Sequence, residues 1–125
     1  MKSCPKGWHL PSHKEWQTLV DLAGGKGIAG KKLKAKSGWN EDLDDRGRVM
    51  TVATDEYGFS ALPGGFRRSD GNFFGAGKVG TWSSSSEYEY DSDHAYSWDM
   101  IYFDGITYWY EGIKTALFSV RCVKD

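Results

Sequence analysis

The sequence predicts a single α+β domain, built from a twisted antiparallel sheet with one main helix and a shorter second helix. The six Trp, seven Tyr and six Phe favour strands and a compact core, and the 16 Gly supply the turns of a loop-rich sheet. Strong helical periodicity is confined to the N-terminal part. At 125 residues the chain is long enough for one domain, residues 1–125, and too short for two.

The main helix is predicted over residues 12–23. Ser12 matches an N-cap, and Glu15 completes a capping box with it. Apolar residues then recur at helical spacing, and the pair Gly24-Gly25 ends the helix.

A shorter helix is predicted over residues 27–36, with Ile28 and Leu33 facing inward and four lysines facing outward. Because the net charge of the chain is −1, these lysines indicate a solvated face and not a nucleic-acid site. Residues 37–56 follow as a long loop.

Glycine and proline mark turns in the middle of the chain. Pro63-Gly64-Gly65 interrupts the apolar alternation of residues 59–67, and residues 69–72 suit a hairpin turn. Residues 75–80 are glycine-rich, but they lead into Thr81-Trp82-Ser83 and lack the Lys-Ser/Thr ending of a phosphate loop. Nucleotide binding is therefore not expected there.

Three strands are predicted in the last third, over residues 95–103, 106–110 and 118–123. Alternation in the first strand assigns one face to Tyr96, Trp98, Met100 and Tyr102. It assigns the other face to Ser97, Asp99, Ile101 and Phe103.

These aromatic-rich strands are the predicted binding surface. If the face with Trp98 is part of the core, the opposite face and the neighbouring Tyr and Trp side chains are exposed to solvent. Exposed aromatic rings beside Ser and Asp are typical of binding surfaces. The candidate ligand-binding residues are Tyr88, Tyr90, Ser97, Asp99, Ile101, Phe103, Trp109 and Tyr110. The alternative is that both faces are buried between the sheet and the loops, so that these residues only contribute packing.

No catalytic group is predicted. His9 is interpreted as a core histidine bonded to backbone, and His13 as an exposed residue of the first helical turn. His94, next to Asp93, could form a Ser-His-Asp arrangement with one of the serines at residues 83–86, but no nucleophile elbow is present. We therefore expect that the chain is not an enzyme.

Two acidic loops are candidate calcium sites. The first contains Asn40, Glu41, Asp42, Asp44 and Asp45, and the second contains Asp91 and Asp93. Neither has the spacing of an EF-hand, and acidic loops are more often simply solvated. We therefore expect no cofactor, with bound calcium as the alternative.

Cys4 and Cys122 lie near the two ends of the chain, where they form either a disulfide or two buried thiols. No Cys-x-x-Cys or His-rich cluster accompanies them, so a metal site is not expected. No apolar run approaches the roughly 20 residues of a membrane span, so direct membrane insertion is not expected either. Without a leader pattern at its start, the chain is interpreted as either a cytoplasmic protein or a domain cut from a longer exported one.

Several motifs in a fixed order cover nearly the whole chain. They are CPKGWHLPS at residues 4–12, EW at 15–16, AGKKLK at 29–34, SGW at 37–39, GFSALPGG at 58–65, WSSS at 82–85 and FSVRCV at 118–123. Together they resemble the Fibrobacter succinogenes major paralogous domain, a family of domains in exported and lipid-anchored bacterial proteins. The resemblance implies an extracytoplasmic location, at the cell surface or secreted, and with it a formed Cys4–Cys122 disulfide.

More distantly, the layout is similar to the C-type lectin fold that formylglycine-generating enzymes share, in which the N- and C-terminal strands pair. Residues 10–16 are similar to the helix-opening motif of those enzymes. Their chemistry needs reactive cysteines in the C-terminal half, and this chain has only Cys122 there.

The predicted function is a non-catalytic binding or display module that recognises a glycan or a protein at a cell surface through residues 88–110. The fold resemblance also suits one specific form of this role, in which the chain is a variable protein whose sequence is diversified by a retroelement. The alternatives are a structural spacer domain of a surface lipoprotein and, less favoured, a degenerate enzyme of the formylglycine-generating type.

Overall fold

The computed structural model describes residues 3–125 as an α+β fold with two helices and small antiparallel sheets, which confirms the predicted class. In chain order the elements are β1 (Trp8–His9), α1 (His13–Leu22), α2 (Lys26–Leu33), β2 (Phe66–Arg67), β3 (Phe73–Phe74), β4 (Val79–Glu87), β5 (His94–Ile101), β6 (Thr107–Ile113) and β7 (Val123–Lys124). The sheets pair β1 with β7, β2 with β3, and β4 with β5 and β6. No helix within residues 3–125 is both long and apolar enough to cross a membrane.

Helix α1 begins as predicted. Ser12 and Glu15 form a reciprocal capping box, each side chain bonding the other's backbone N–H at 3.1 Å. The buried side chains of the helix are Trp16 and Val20, and the Trp16 indole lies 6.1 Å from Trp82 and 6.5 Å from Trp98 between ring centroids. This tryptophan group is the centre of the hydrophobic core.

Helix α2 ends at Leu33, three residues earlier than predicted, and its buried face differs from the prediction. Gly30 packs so tightly on the turn after β5 that a Cβ there would lie 2.7 Å from the Ile106 carbonyl oxygen. This contact turns Ala29, Gly30 and Leu33 inward, and the expectation that Ile28 faces inward is wrong, since it is 42% exposed.

The expectation of four outward lysines is wrong for Lys34. After the helix ends, its chain is extended and its side chain is 1% exposed. Its ammonium donates to the backbone carbonyls of Ile101 and Asp104 and lies 4.8 Å from the centroid of Trp39. Burial lowers the pKa of Lys34 to about 8. This lysine joins the end of α2 to the turn that follows β5.

The sheet β4–β5–β6 carries the core. Trp82, Trp98 and Trp109 are cross-strand neighbours in register, so they share the face on which α1 packs. The predicted strands over 95–103 and 106–110 are confirmed with shifted bounds as β5 and β6. Strand β4 was not predicted, because serines 83–86 lack the alternation that marks a strand.

The remaining segments agree with the sequence in part. The hairpin turn at 69–72 joins β2 to β3, and residues 37–56 form a loop with one isolated bridge. The strand predicted over 118–123 is wrong, because only Val123 of that range lies in β7. Residues 117 and 119 instead form isolated bridges to Arg67 and Trp82.

The two ends of the chain are cross-linked. Cys4 and Cys122 form a disulfide with a Cα–Cα distance of 5.8 Å across 118 residues, and closing so long a loop stabilises the fold by about 4–5 kcal/mol in the chain-entropy description. Beside it, the His9 ring bonds Glu15 at 2.9 Å and Asp125 at 2.7 Å. The interpretation of His9 as a core histidine bonded to backbone is therefore wrong, since its partners are two exposed carboxylates.

We predict that the His9 contacts stabilise the domain near its cross-linked ends within a limited pH range. Hydrogen bonds to Glu15 and Asp125 raise the pKa of His9 above 6.5, and the bond to His9 lowers the pKa of Glu15 below 4.5. The histidine contribution is complete below pH 6.5 and is lost as pH rises through the folded-state value, whereas the glutamate contribution is complete above pH 4.5 and is lost as pH falls.

The melting temperature of the wild type should therefore exceed that of His9→Gln most between pH 4.5 and 6.5, and the difference should shrink on the alkaline side. Thermal unfolding followed by circular dichroism over a pH series measures it. A difference that is the same at every pH would contradict the assignment.

Candidate aromatic binding surface

Four aromatic side chains form a continuous row at the open end of the central sheet. We call this surface the aromatic row, and its members in spatial order are Trp109, Tyr96, Tyr88 and Tyr90. Adjacent ring centroids are 5.3, 5.4 and 5.5 Å apart, and each pair meets edge to face. Tyr90 is 79% exposed and Trp109 is 37% exposed, so both ends of the row reach solvent.

The row lies on the core side of the sheet, just beyond the point where α1 stops covering it. Tyr96 is on the same face of β5 as Trp98, which α1 buries. The first helical residue, His13, stacks on Tyr96 with centroids 4.0 Å apart and planes 18° apart. Trp109 is flanked by His13, with ring centroids 5.3 Å apart, and by Lys26 of α2, whereas at the other end of the row Tyr90 is open to solvent.

The serines of β4 fix the start of α1 against this end of the sheet. The pairing of β4 with β5 is irregular between Ser83 and Glu87, so that the strand bulges. Within the bulge, Ser86 Oγ accepts the His13 backbone N–H at 2.9 Å, and the Ser85 backbone N–H donates to the Pro11 carbonyl at 2.8 Å. The bulge therefore positions the helix terminus that supports Tyr96.

His13 is neutral in this position. The Trp98 indole N–H donates to His13 Nδ1 at 3.2 Å, and because an indole nitrogen only donates, Nδ1 accepts and the ring proton lies on Nε2. Burial, and then the Lys26 ammonium, lowers the pKa of His13. The expectation that His13 is exposed is wrong, since the first turn of α1 faces the sheet.

Acidic side chains surround most of the row. Glu111 is the cross-strand neighbour of Tyr96, and Glu89 lies between Tyr88 and Tyr90 in the chain. Burial and then the Glu111 carboxylate raise the pKa of Tyr88, and burial and then Glu89 raise the pKa of Tyr96. At the other end, the Lys26 ammonium lies 5.9 Å from the centroid of Trp109.

The eight candidate residues from the sequence do not form one surface. Tyr88, Tyr90 and Trp109 lie in the aromatic row. Phe103 is 49% exposed, but it follows the far end of β5. The opposite face of the sheet carries Ser97, Asp99, Ile101 and Tyr110.

Part of that opposite face is covered, as the alternative reading of the alternation expected. Ser97, predicted to point to solvent, is 2% exposed, and the ring of Phe118 packs over the neighbouring Gly112. Tyr110 keeps 47% of its surface exposed. The sequence did not indicate Tyr96 or His13 as part of this candidate surface. Tyr96 was assigned to the core face of its strand and His13 to an exposed helical turn, and the sequence does not show where α1 stops covering the sheet.

Asp99 is a partly buried carboxylate and not a solvated one. Its Oδ1 is shielded from solvent and has no hydrogen-bond partner within residues 3–125. Burial raises the pKa of Asp99 to about 6, and the Thr81 hydroxyl offsets this rise only in part.

The predicted alternatives for catalysis and calcium find no assembled site. His94 Nδ1 lies 3.0 Å from Asp91 rather than bonding Asp93, and no serine of residues 83–86 bonds it in the part of the chain described. Asp44 is occupied by the backbone of Arg46 and by Arg48. Across residues 3–125, no three His, Cys, Asp or Glu side chains converge as a metal-ligand set.

A separate apolar groove of about 360 Å³ runs between α1 and the C-terminal segment, lined by Trp16, Leu19 and Phe59 among others. Its cationic neighbour Arg121 stacks on Phe59 at 4.3 Å and donates to the Phe59 carbonyl at 2.9 Å. This guanidinium is thus held by the protein itself, and within residues 3–125 the other polar side chains that line the groove are Glu15 and Thr18.

The sequence matches a known protein family. The sequence model of the Fibrobacter succinogenes major domain matches residues 1–124. The chain belongs to this family. Searches of curated proteins and of solved structures found no match. The family of this Fibrobacter succinogenes major domain and its Cys4–Cys122 disulfide are thus established.

We predict that Asp99→Asn stabilises the domain at neutral pH. Because the pKa is 3.8 in the unfolded chain and about 6 in the folded one, stability falls as pH rises through that range, by about 2–3 kcal/mol at most. The variant should have the higher free energy of unfolding above pH 6, and the two proteins should converge below pH 3.8.

Urea unfolding across the pH range measures this difference. The exposed Asp93→Asn is the control and should change nothing. Coincident curves for the wild type and Asp99→Asn would show instead that Asp99 is solvated and free to meet a ligand.

Proposed function

We propose that this domain is a non-catalytic binding module, displayed outside the cytoplasm at a bacterial cell surface or secreted, which recognises a glycan through the aromatic row. We also propose that its fold is of the C-type lectin-like type, in which paired termini and a loop-rich sheet are the common features. The pairing of β1 with β7 beside the disulfide is consistent with that layout.

The spacing of the rings is the observation that carries the proposal. Centroid separations of 5.3–5.5 Å are comparable with the repeat of one sugar unit along an extended β-1,4-linked chain, so successive sugars can contact successive side chains of the row by ring face or ring edge. Sugars present C–H groups on their faces, which pack against aromatic rings, while the phenol and indole groups keep a hydrogen-bonding end. An extended ligand fits a row of this length better than a single sugar.

The centre of the row is also supported by packing contacts within the domain. Tyr96 stacks on His13, and His13 accepts a hydrogen bond from the Trp98 indole. Ser86, in the bulge of β4, accepts the backbone N–H of His13 and so fixes the helix start. Side chains that are already ordered lose little conformational entropy on binding, which favours affinity.

Two further observations support the extracytoplasmic and non-catalytic parts. The chain's only two cysteines are joined to each other, which suits an oxidising compartment and leaves no thiol for formylglycine-type chemistry. The histidine beside the row, His13, has its Nδ1 occupied by the Trp98 indole N–H.

We predict that removing a ring of the row weakens glycan binding without unfolding the domain. A glycan array identifies the bound oligosaccharide, and calorimetry then compares variants. Trp109→Ala and Tyr90→Ala should each weaken affinity by about tenfold, a typical loss for an aromatic anchor. Tyr90 is so exposed that its loss cannot disturb the fold.

The matched control for Trp109→Ala is Tyr110→Ala, one residue along β6 on the opposite face, and Phe103→Ala is a second control at the far turn. Both should bind like the wild type. Equal losses for Trp109→Ala and Tyr110→Ala would refute the row as the site. If no glycan on the array is bound and a protein is bound, the ligand of the row is a protein and not a glycan.

A further inference from the structure

The charge around the aromatic row is unbalanced, although the chain as a whole is nearly neutral. The net charge of the chain is −1, and yet Glu89, Asp91, Asp93 and Glu111 all belong to the row's strand ends and loop. Glu89 and Glu111 are exposed and make no ion pair in the part of the chain described. The row therefore lies in a local negative potential.

This charge has a direction along the row. Lys26, the cation next to it, lies over Trp109 at one end. Glu89 and Asp91 flank Tyr90 in the chain at the other end, and Glu111 lies in the middle beside Tyr96. The end formed by Tyr88 and Tyr90 thus combines aromatic rings with the Glu89 carboxylate, which has no ion-pair partner in the part of the chain described, whereas Asp91 lies 3.0 Å from His94.

Aromatic faces and carboxylates share one preference, which is for cations. The negative face of a tyrosine ring attracts an ammonium group within about 6 Å of its centroid, and carboxylates attract it by charge. An acidic sugar would be repelled by the same groups.

We propose that the glycan recognised by the row carries ammonium groups, as an amino sugar with a free amine does, and that these groups are bound at the end formed by Tyr88 and Tyr90. The inference rests on the proposed glycan-binding function and narrows its ligand to one chemical class. Charge complementarity selects the ligand, while ring stacking supplies the contact that all glycans share.

Three β-1,4-linked oligosaccharides of equal length test the inference, because they differ only in the group at C2: deacetylated chito-oligosaccharide (ammonium), N-acetylated chito-oligosaccharide (acetamide) and cello-oligosaccharide (hydroxyl). Calorimetry with the disulfide-bonded domain at low ionic strength should give the ammonium form about tenfold tighter binding than the other two, the sum of a few exposed charge contacts. Added NaCl should erase most of that preference.

Glutamine variants locate the preference. Glu111→Gln and Glu89→Gln keep an oxygen acceptor but lose the charge, so each should cut the ratio of ammonium-form to hydroxyl-form affinity about threefold. Glu41→Gln, in the exposed loop between α2 and β2, is the matched control and should leave the ratio unchanged.

The outcomes separate this inference from the proposed function. Equal affinity for the three oligosaccharides, or tighter binding of a neutral one, overturns the ammonium inference and leaves glycan binding standing. A preference that survives both salt and the double variant of Glu89 and Glu111 also overturns it. If none of the three binds while the glycan array shows other glycans bound, the inference alone fails, and if the array is silent as well, both fail.

Discussion

The contact of α1 with β5 through Trp98 is the interaction on which the rest of the domain depends. The Trp98 indole is buried beneath the helix, packs near Trp16, and donates its N–H to His13 at the first helical position. One side chain therefore fixes both where α1 lies on the sheet and where it begins. The same indole contributes to the apolar core and settles the protonation of His13, whose neutral ring then supports Tyr96. Loss of this contact would remove the core and the aromatic row together.

The two faces of the central sheet are covered to different extents. On the core side, α1 covers Trp82 and Trp98, its first residue His13 stacks on Tyr96, and the same face continues to the exposed Tyr90. On the opposite side, Phe118 packs over Gly112 close to the buried Ser97. The disulfide and the pairing of β1 with β7 join the two ends of the chain, and this cross-link stabilises a domain in which several strands are short.

Local signals in the sequence predicted the parts of the fold that depend on local physics. The capping box defines the start of α1 without reference to the rest of the chain, and alternation found β5 and most of β6. The family motifs predicted the disulfide. Strand β4 was missed because its serines lack apolar alternation, and their bonds to the helix start and to the Tyr96 carbonyl exist only in the tertiary structure. Lys34 was misplaced for the same reason, since its carbonyl partners lie 67 and 70 residues away in the chain. Three of the eight candidate residues lie in the aromatic row, and the sequence could not select these three because the side chains left uncovered depend on where α1 stops.

The central claim is that ligands bind on the aromatic row, and the indole N–H signals of the six tryptophans test it most directly. In ¹H–¹⁵N NMR spectra recorded while the tightest-binding oligosaccharide is added, the account predicts a large shift for Trp109, which lies in the row. A smaller shift is expected for Trp98, whose N–H bonds the His13 beneath Tyr96. Trp39, bonded to the Ala61 carbonyl on the other side of the core, should not move. A saturating shift of Trp39 with Trp109 unchanged would contradict the account.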